Sequence, residues 1–133
     1  KYRVFTLLGD AECEEGSVLE AFSTASHYCL DNLIAIIDRN YMSVDGNTEE
    51  LMAQRDMEMK LRSFGWEAVT VDGHDISSLI SALEHKPSNK PYAVIAETIK
   101  GKGVSFIENN KVWHQAILNE ANYNQAIEEI NKA

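Results

Sequence analysis

Short apolar runs recur along the chain, with polar turns between them. Four runs rich in aliphatic, β-branched and aromatic residues predict strands over residues 4–8, 33–37, 67–71 and 92–97. The second run is apolar at every position, which is typical of a strand covered on both faces. The remaining segments with helical spacing predict helices over about residues 17–28, 48–64, 76–84 and 120–132, and residues 104–119 show neither pattern.

This alternation of strands and helices predicts an α/β fold with a parallel sheet flanked by helices on both faces. No linker, repeat or low-complexity tract interrupts the 133 residues, so residues 1–133 are expected to form a single domain. Ligands of such sheets bind beyond the carboxyl ends of the strands. Asp10, Asn40, His74 and Lys100 each follow a predicted strand, and we expect them to share one edge of the sheet.

The overall composition narrows the classes of partner. Hydrophobic content of 44% and charged content of 25% are ordinary for a soluble globular protein. The 12 basic and 21 acidic residues give a net charge of −9, which argues against nucleic acid or an anionic membrane surface as partner. A phosphorylated ligand is compatible with this charge if a bound metal supplies local positive charge.

The cysteines and the first residues give expectations for the cellular location of the protein and for whether the chain is part of a longer one. Cys13 and Cys29 fit neither a disulfide framework nor a zinc site, so a reducing cytoplasmic location is expected. No apolar stretch is long enough to span a bilayer, and the first residues do not form a signal peptide. The chain enters its first strand at once, and we expect it to be part of a longer protein.

An acidic residue and an amide follow the first two predicted strands. Asp10 could supply charge to a magnesium ion, Asn40 a neutral carbonyl oxygen, and a backbone carbonyl just after Asn40 a third ligand. The small Ala11 would allow its N–H to approach a phosphate held by that ion. Short motifs of this kind also arise as caps and turns, and the local pattern leaves both interpretations open.

Other polar residues near the strand ends have weaker functional arguments. His74, in Asp-Gly-His-Asp, could be catalytic, but the sequence favours a turn and helix cap. Lys100 and Lys102 could steer a phosphorylated substrate or simply lie in a solvated glycine-rich loop. Nothing near Cys13 argues for a lowered thiol pKa.

Several ordered sequence blocks together carry a family resemblance. They are Gly9-Asp10-Ala11, Glu15-Gly16, Asp38-Arg39-Asn40, Asp45-Gly46, Phe64-Gly65-Trp66, Val71-Asp72-Gly73-His74-Asp75, Thr98-Ile99-Lys100-Gly101-Lys102-Gly103 and Trp113-His114. The series resembles the thiamine-diphosphate-binding segment of transketolases, and most closely the separate N-terminal subunit of split bacterial transketolases. The resemblance covers nearly the whole chain and implies the diphosphate-binding domain of the thiamine-diphosphate-binding fold, here truncated at its N-terminus. It also implies transfer of a two-carbon ketol unit between sugar phosphates by the intact enzyme.

The resemblance assigns the cofactor anchor residue by residue. Asp10, the side-chain oxygen of Asn40 and the backbone carbonyl of Met42 correspond to the ligands of Mg²⁺. Gly9 and Ala11 correspond to residues that contact the diphosphate of thiamine diphosphate through the backbone.

Three further positions receive roles from the same resemblance. Val44 corresponds to an aliphatic residue that packs against the cofactor rings, and His114 to a catalytic histidine that reaches the diphosphate and the reacting centre. Glu15 corresponds to an acidic residue in a carboxylate network that links paired cofactor sites near the subunit interface. The chain departs from the family pattern at Ala11 and Gln115, where the family usually has glycine.

Parts of the family's catalytic machinery are expected outside this chain. In the family, a glutamate of a pyrimidine-binding domain, usually from the partner chain, protonates the cofactor's aminopyrimidine ring, and substrate-binding histidines lie upstream. We therefore expect the chain alone to be inactive, a pyrimidine-binding domain or subunit to be its partner, and a dimer or higher oligomer to be the functional unit. The alternatives are a related enzyme such as a deoxyxylulose phosphate synthase, or a non-catalytic remnant that binds a partner.

Overall fold

The computed structural model describes residues 2–132 and shows one parallel sheet. Its strands are β1 (Val4–Gly9), β2 (Leu33–Arg39), β3 (Glu67–Asp72) and β4 (Tyr92–Glu97). The strand order is β1-β2-β4-β3, and every neighbouring pair is parallel. The predicted parallel α/β architecture is confirmed, and β2 and β4 are its two central strands.

Five α-helices and two 3₁₀ turns connect and follow the strands within the described residues. The helices are α1 (Gly16–His27), α2 (Thr48–Leu51), α3 (Met57–Ser63), α4 (Ile76–Glu84) and α5 (Glu120–Ile130). The 3₁₀ turns are Ala11–Glu14 and Lys111–His114. No helix within residues 2–132 combines the length and apolar character needed to cross a membrane.

Helices cover both faces of the sheet, as the apolar central strands require. On one face, α1 and α3 bury Phe22 and Leu61 against Ile37 and Ile95. Trp66 closes this cluster, because its indole N–H donates to the Phe22 carbonyl at 2.9 Å. On the other face, α4 packs against a smaller cluster of Ile34, Tyr92 and Val94 with adjoining residues.

The edge strand β1 contributes less to the core than the central strands do. Phe5 and Leu7 pair in register with Ile34 and Ile36 of β2 and lie on the side of the sheet that carries α4. Their exposed fractions are 51% and 70%, whereas Ile34 is fully buried. The core is therefore centred on β2 and β4.

The predicted continuous helix over residues 48–64 is wrong, because the segment forms α2 and α3 with a break between them. The Glu49 carboxylate accepts hydrogen bonds from the backbone N–H groups of Gln54 and Arg55, which replaces the carbonyl acceptors of a continuous helix. Arg55 adopts φ 53°, outside the helical region. Asp56 then caps α3 by accepting from the Met59 N–H at 2.8 Å.

Candidate metal centre

Asp10 and Asn40 lie beside each other at the carboxyl edge of the sheet, as the sequence predicted. β1 and β2 are paired so that Gly9 lies opposite Asp38, which brings the residues after the two strands together. The Tyr41 N–H donates to Asp10 Oδ2 at 2.8 Å, linking the two segments directly. Asp10 is 1% exposed and Asn40 9% exposed, so both polar side chains are buried.

The two carboxylate oxygens of Asp10 have different surroundings. Oδ2 accepts from Arg39 Nη1 at 3.0 Å, from the Tyr41 N–H and from Thr48 Oγ1 at 3.4 Å. Within residues 2–132, Oδ1 accepts one hydrogen bond, from the Ala11 N–H at 2.9 Å. Oδ1 is therefore the oxygen with more remaining capacity to accept a ligand.

Arg39 supplies a buried positive charge directly at this carboxylate. It ends β2, is 2% exposed, and forms ion pairs with both Asp10 and Glu49. Burial works to lower the pKa of Arg39, but the hydrogen bond to Glu49 and the charges of Asp10 and Glu49 raise it overall. The same bond from Arg39 holds the pKa of Glu49 below its ordinary value.

Sequence reasoning missed the structural role of Arg39, although one signal was present. Residues 33, 35, 37 and 39 point to the same side of β2, and Ala35 and Ile37 are fully buried. A charged residue at the next position on the buried face of a strand needs an oppositely charged partner. No local pattern could have shown that Asp10 and Glu49 are its partners.

The amide of Asn40 is held in one orientation by its neighbours. Its Nδ2 donates to Asp38 Oδ2 at 2.9 Å, and its Oδ1 accepts from the Met42 N–H at 3.0 Å. Asp38 is itself fixed by a hydrogen bond from Thr98. These bonds place Asn40 Oδ1 on the side of the loop that contains Met42.

The donor set at this edge suits a hard cation. Asp10 has a carboxylate oxygen and Asn40 an amide oxygen at this edge, and both are ligand types that Mg²⁺ prefers. Within residues 2–132, no group of three or more His, Cys, Asp or Glu side chains lies together in a way that could hold a metal. A softer metal such as Zn²⁺ is therefore poorly matched here, and the residues fit Mg²⁺.

The backbone groups assigned to a diphosphate are both paired with carboxylates. The Gly9 N–H donates to Glu12 Oε2 at 2.6 Å, and the Ala11 N–H donates to Asp10 Oδ1. Ala11 lies in a 3₁₀ turn, a conformation that alanine adopts without strain. The methyl group of Ala11 therefore imposes no backbone penalty, and Glu12 is a contact that sequence reasoning missed.

Val44 and His114 lie in segments that the structure joins. Val44 is 52% exposed in a turn closed by a hydrogen bond from the Ser43 N–H to the Gly46 carbonyl. Lys111, in the 3₁₀ turn that carries His114, donates to the Asp45 carbonyl at 2.8 Å. His114 and Glu15 are exposed, and neither side chain forms a hydrogen bond or ion pair within residues 2–132.

His74 has the structural role that the sequence favoured. Its Nε2 accepts from the Ile99 N–H at 2.8 Å, and its own N–H donates to Asp72 Oδ1 at 2.8 Å. Asp75 caps α4 by accepting from the Ser77 N–H. His74 also lines an open groove of ≈ 520 Å³ that includes Asn40 and Lys100, so it lies near the site while anchoring a loop.

Cys13 lies in the 3₁₀ turn Ala11–Glu14, directly after Asp10, and its thiol is unreactive. It is fully buried, and burial raises the pKa of its thiol to about 12. The thiol therefore stays protonated at neutral pH, as the sequence suggested.

The fold is an α/β domain with a parallel sheet, an architecture whose ligands bind beyond the carboxyl ends of the strands. The chain belongs to the transketolase family, in its thiamine diphosphate binding domain: the family model described as "Transketolase, thiamine diphosphate binding domain" matches residues 1–131. The resemblance drawn from the sequence blocks is thereby confirmed.

Individual relatives agree with the family match. An apulose-4-phosphate transketolase subunit of Phocaeicola vulgatus is 36% identical over 133 residues, which cover 98% of this chain and 47% of that protein. Human transketolase is 41% identical over 132 residues, covering 97% of this chain and 20% of that protein. The chain thus spans about half the length of the subunit-type relatives and a fifth of the long ones.

Solved structures show the same fold. The chain superposes on transketolase from Campylobacter jejuni with a TM-score of 0.90 at 33% identity, covering 98% of this chain and 21% of that one. A Pichia stipitis transketolase solved in complex with sedoheptulose-7-phosphate gives a TM-score of 0.88 at 33% identity, with 97% and 19% covered. The predicted thiamine-diphosphate-binding fold is confirmed.

Proposed function

We propose that this chain anchors thiamine diphosphate through Mg²⁺ in a transketolase-type enzyme that transfers a two-carbon ketol unit between sugar phosphates. One observation carries the proposal: in a chain matched to the thiamine diphosphate binding family over residues 1–131, Asp10 and Asn40 adjoin at the carboxyl ends of β1 and β2. Asp10 keeps an oxygen available there, and the oxygen donor set suits Mg²⁺.

The residues that would hold the metal are Asp10, Asn40 and the carbonyl of Met42. The bound cofactor would supply a stabilised carbanion at its thiazolium carbon. The chain itself would hold the metal, and through it the diphosphate, at a fixed place on the sheet edge. Because Asp10 and Asn40 are each locked by hydrogen bonds, the chain meets the metal with its ligands already oriented.

Gly9 and Ala11 would contact the diphosphate through their N–H groups. Gly9 donates to Glu12 in the structure, so binding of the diphosphate to Gly9 would require the Glu12 carboxylate to move away. Glu12 is exposed, and such a displacement needs no change in the core. With a net charge of −9 on the chain, the metal would provide the positive charge that the diphosphate needs.

The remaining site residues have proposed roles toward cofactor and partner. Val44 would pack against the cofactor rings, and His114, on the segment tied to the Val44 turn, would reach the diphosphate and the reacting centre. Glu15 would join a carboxylate network across a subunit interface, consistent with its exposed position and lack of partners within residues 2–132.

A partner is part of the proposal. Two relatives that match over most of this chain are named as subunits, one of apulose-4-phosphate transketolase and one of 6-deoxy-6-sulfo-D-fructose transketolase. We propose that the partner is a pyrimidine-binding domain or subunit, that the functional unit is a dimer or higher oligomer, and that the substrate is a sugar phosphate. The chain alone should then show no ketol transfer, and turnover of a ketose donor by the pure chain would contradict this.

Isothermal titration calorimetry with thiamine diphosphate tests the anchor. We expect binding to the 133-residue chain in the presence of Mg²⁺ and no measurable binding after chelation with EDTA. Asp10→Asn should abolish the Mg²⁺-dependent binding. The matched control is Glu84→Ala, which removes an exposed carboxylate at the end of α4 and should leave binding unchanged. Equal binding by wild type and Asp10→Asn would show that the Asp10 carboxylate is not required for metal binding.

The pairing of the Gly9 and Ala11 N–H groups with carboxylates favours a second candidate, a non-catalytic domain that binds a partner without a cofactor. The same calorimetry separates the two. A folded wild-type chain that binds no thiamine diphosphate at any Mg²⁺ concentration, alone or with a pyrimidine-binding subunit, would favour the second candidate.

A further inference from the structure

Arg39 contacts the proposed metal ligand Asp10 on one oxygen only. Its Nη1 donates to Asp10 Oδ2 at 3.0 Å, and the Tyr41 N–H and Thr48 Oγ1 donate to the same oxygen. Within residues 2–132, Oδ1 accepts one hydrogen bond, from the Ala11 N–H. The protein therefore saturates one carboxylate oxygen and leaves the other with spare capacity.

Arg39 is itself held firmly on its far side. Its Nη2 pairs with the Glu49 carboxylate, which also accepts from the backbone N–H groups of Gln54 and Arg55. The guanidinium carbon lies 4.2 Å from the centre of the Tyr41 ring. A planar group fixed between two carboxylates and one ring face has little freedom to turn.

We infer that Arg39 is a positioning residue for Mg²⁺: by holding Asp10 through Oδ2, it orients Oδ1 toward the metal. The inference rests on the proposed function, because it assumes that Asp10 is a metal ligand. Rotation of a carboxylate about its terminal bond is weakly restricted on its own. Outer hydrogen bonds to ligating groups commonly provide the missing restraint.

A purely electrostatic view gives the opposite expectation. A guanidinium next to a metal ligand repels an incoming cation and competes for the negative charge of Asp10. If Arg39 acted only in this way, its removal would tighten metal binding. The sign of the change in affinity therefore discriminates between the two effects.

The test measures Mn²⁺ binding to the 133-residue chain by electron paramagnetic resonance at saturating thiamine diphosphate. We expect Arg39→Met to weaken Mn²⁺ binding about 10- to 100-fold, the range typical of lost outer-shell partners. Arg39→Lys keeps a charge that can reach Oδ2 but not both carboxylates, and we expect it to recover part of the loss. Circular dichroism of each metal-free variant checks that it is folded.

A matched variant controls for general loss of stability. Ile95→Val trims a side chain of β4 that is 2% exposed and belongs to the apolar core cluster, not to the ion-paired group of Asp10, Arg39 and Glu49, and Mn²⁺ affinity should stay at the wild-type value. Equal weakening in Ile95→Val would overturn the inference. Unchanged or tighter binding by Arg39→Met would also overturn it.

Two further outcomes are decisive. If Arg39→Met does not fold, Arg39→Lys decides alone: weaker binding than wild type supports the inference, and unchanged or tighter binding overturns it. If the wild-type chain, alone or with a pyrimidine-binding subunit, binds no Mn²⁺ with thiamine diphosphate, the proposed function fails and the inference fails with it. Wild-type binding that is insensitive to Arg39 overturns the inference alone.

Discussion

The two halves of the carboxyl edge are built in different ways. After β1 and β2, the chain buries the Asp10–Arg39 ion pair around a carboxylate oxygen that accepts three hydrogen bonds, and the partly exposed Glu49 carboxylate pairs with the other side of Arg39. After β3 and β4, it uses turns, a helix cap and a single bond to His74, all near the surface. Both halves connect each strand to the next segment of chain, and a surface turn is sufficient for that purpose.

This difference between the two halves indicates that the residues after β1 and β2 do more than allow the chain to fold. Apolar residues of similar volume can replace a buried ion pair without loss of stability, and often with a gain. The cluster around Asp10 is therefore not needed to close the sheet edge, whereas its fixed oxygens suit a metal. In the half around His74, the hydrogen bonds serve only to pair local backbone N–H groups.

The largest expected effect comes from breaking the buried Asp10–Arg39 ion pair. Asp10→Ala leaves the Arg39 guanidinium with one carboxylate in place of two, and we expect a loss of about 3 kcal/mol in the free energy of unfolding. Urea titration followed by circular dichroism measures it. The double variant Asp10→Leu/Arg39→Met should recover more than half of the loss. If the double variant is less stable than Asp10→Ala, the cluster serves stability and the comparison fails.

A smaller effect is expected in the other half of the edge. His74→Ala removes the acceptor of the Ile99 N–H, which can turn to water, and we expect a loss of about 1 kcal/mol in the free energy of unfolding. Mg²⁺-dependent binding of thiamine diphosphate should be unchanged in the same calorimetric titration. A tenfold loss of cofactor affinity, with no more than the expected loss in the free energy of unfolding, would show that His74 belongs to the functional site.

Glu12 should have a modest effect of opposite sign. Glu12→Gln weakens the hydrogen bond that the Gly9 N–H donates to this side chain. It also removes a negative charge beside the proposed diphosphate position. We expect thiamine diphosphate to bind about twofold to fivefold tighter, as an exposed charge interaction allows. Glu20→Gln, an exposed change within α1, is the control and should not alter affinity. Weaker binding in Glu12→Gln would show that Glu12 assists the ligand.

As the pH falls, the two halves of the carboxyl edge should lose their contributions to the free energy of unfolding in different pH ranges. The hydrogen bond from Arg39 keeps the pKa of Glu49 below its ordinary value of 4.5, so its contribution is complete above pH 4.5 and is lost as pH falls through the lowered pKa. Bonds from Ser78 and Ser77 lower the pKa of Asp75 from its ordinary value of 3.8, so the loss of its contribution begins only below pH 3.8.

Matched variants identify these acid transitions. Glu49→Gln should flatten the curve of unfolding free energy against pH just below 4.5, and Asp75→Asn should flatten it only below 3.8. Both curves come from urea titrations between pH 3 and 7. If the Glu49→Gln curve keeps the wild-type slope below pH 4.5, Glu49 does not contribute to the acid dependence of stability.

Much of the fold could be predicted because its signals are local. All four strands lie within two residues of their predicted ends, and the irregular stretch before α5 is confirmed. The continuous helix over residues 48–64 was wrong because a side chain decided it: Glu49 captures the N–H groups of Gln54 and Arg55. Periodicity does not record such a contact.

The candidate site was predicted in part for a similar reason. Asp10 and Asn40 follow consecutive strands, and the carboxyl ends of parallel strands meet at one edge. Their assignment to Mg²⁺, and the roles of Val44, His114 and Glu15, stay predictions. The pairing of Glu12 with the Gly9 N–H was not predictable, because it depends on how the 3₁₀ turn directs that side chain.

By itself, the sequence determined the strands, most helices, the family and the two polar residues at the strand ends, since each depends on residue type and short spacing. Only the tertiary structure decided that β4 lies between β2 and β3, and that Arg39 meets Asp10 across 29 positions of chain. The physical reason is that a buried charge is stabilised by whichever partner the fold brings to it, and distance along the chain does not reveal that partner.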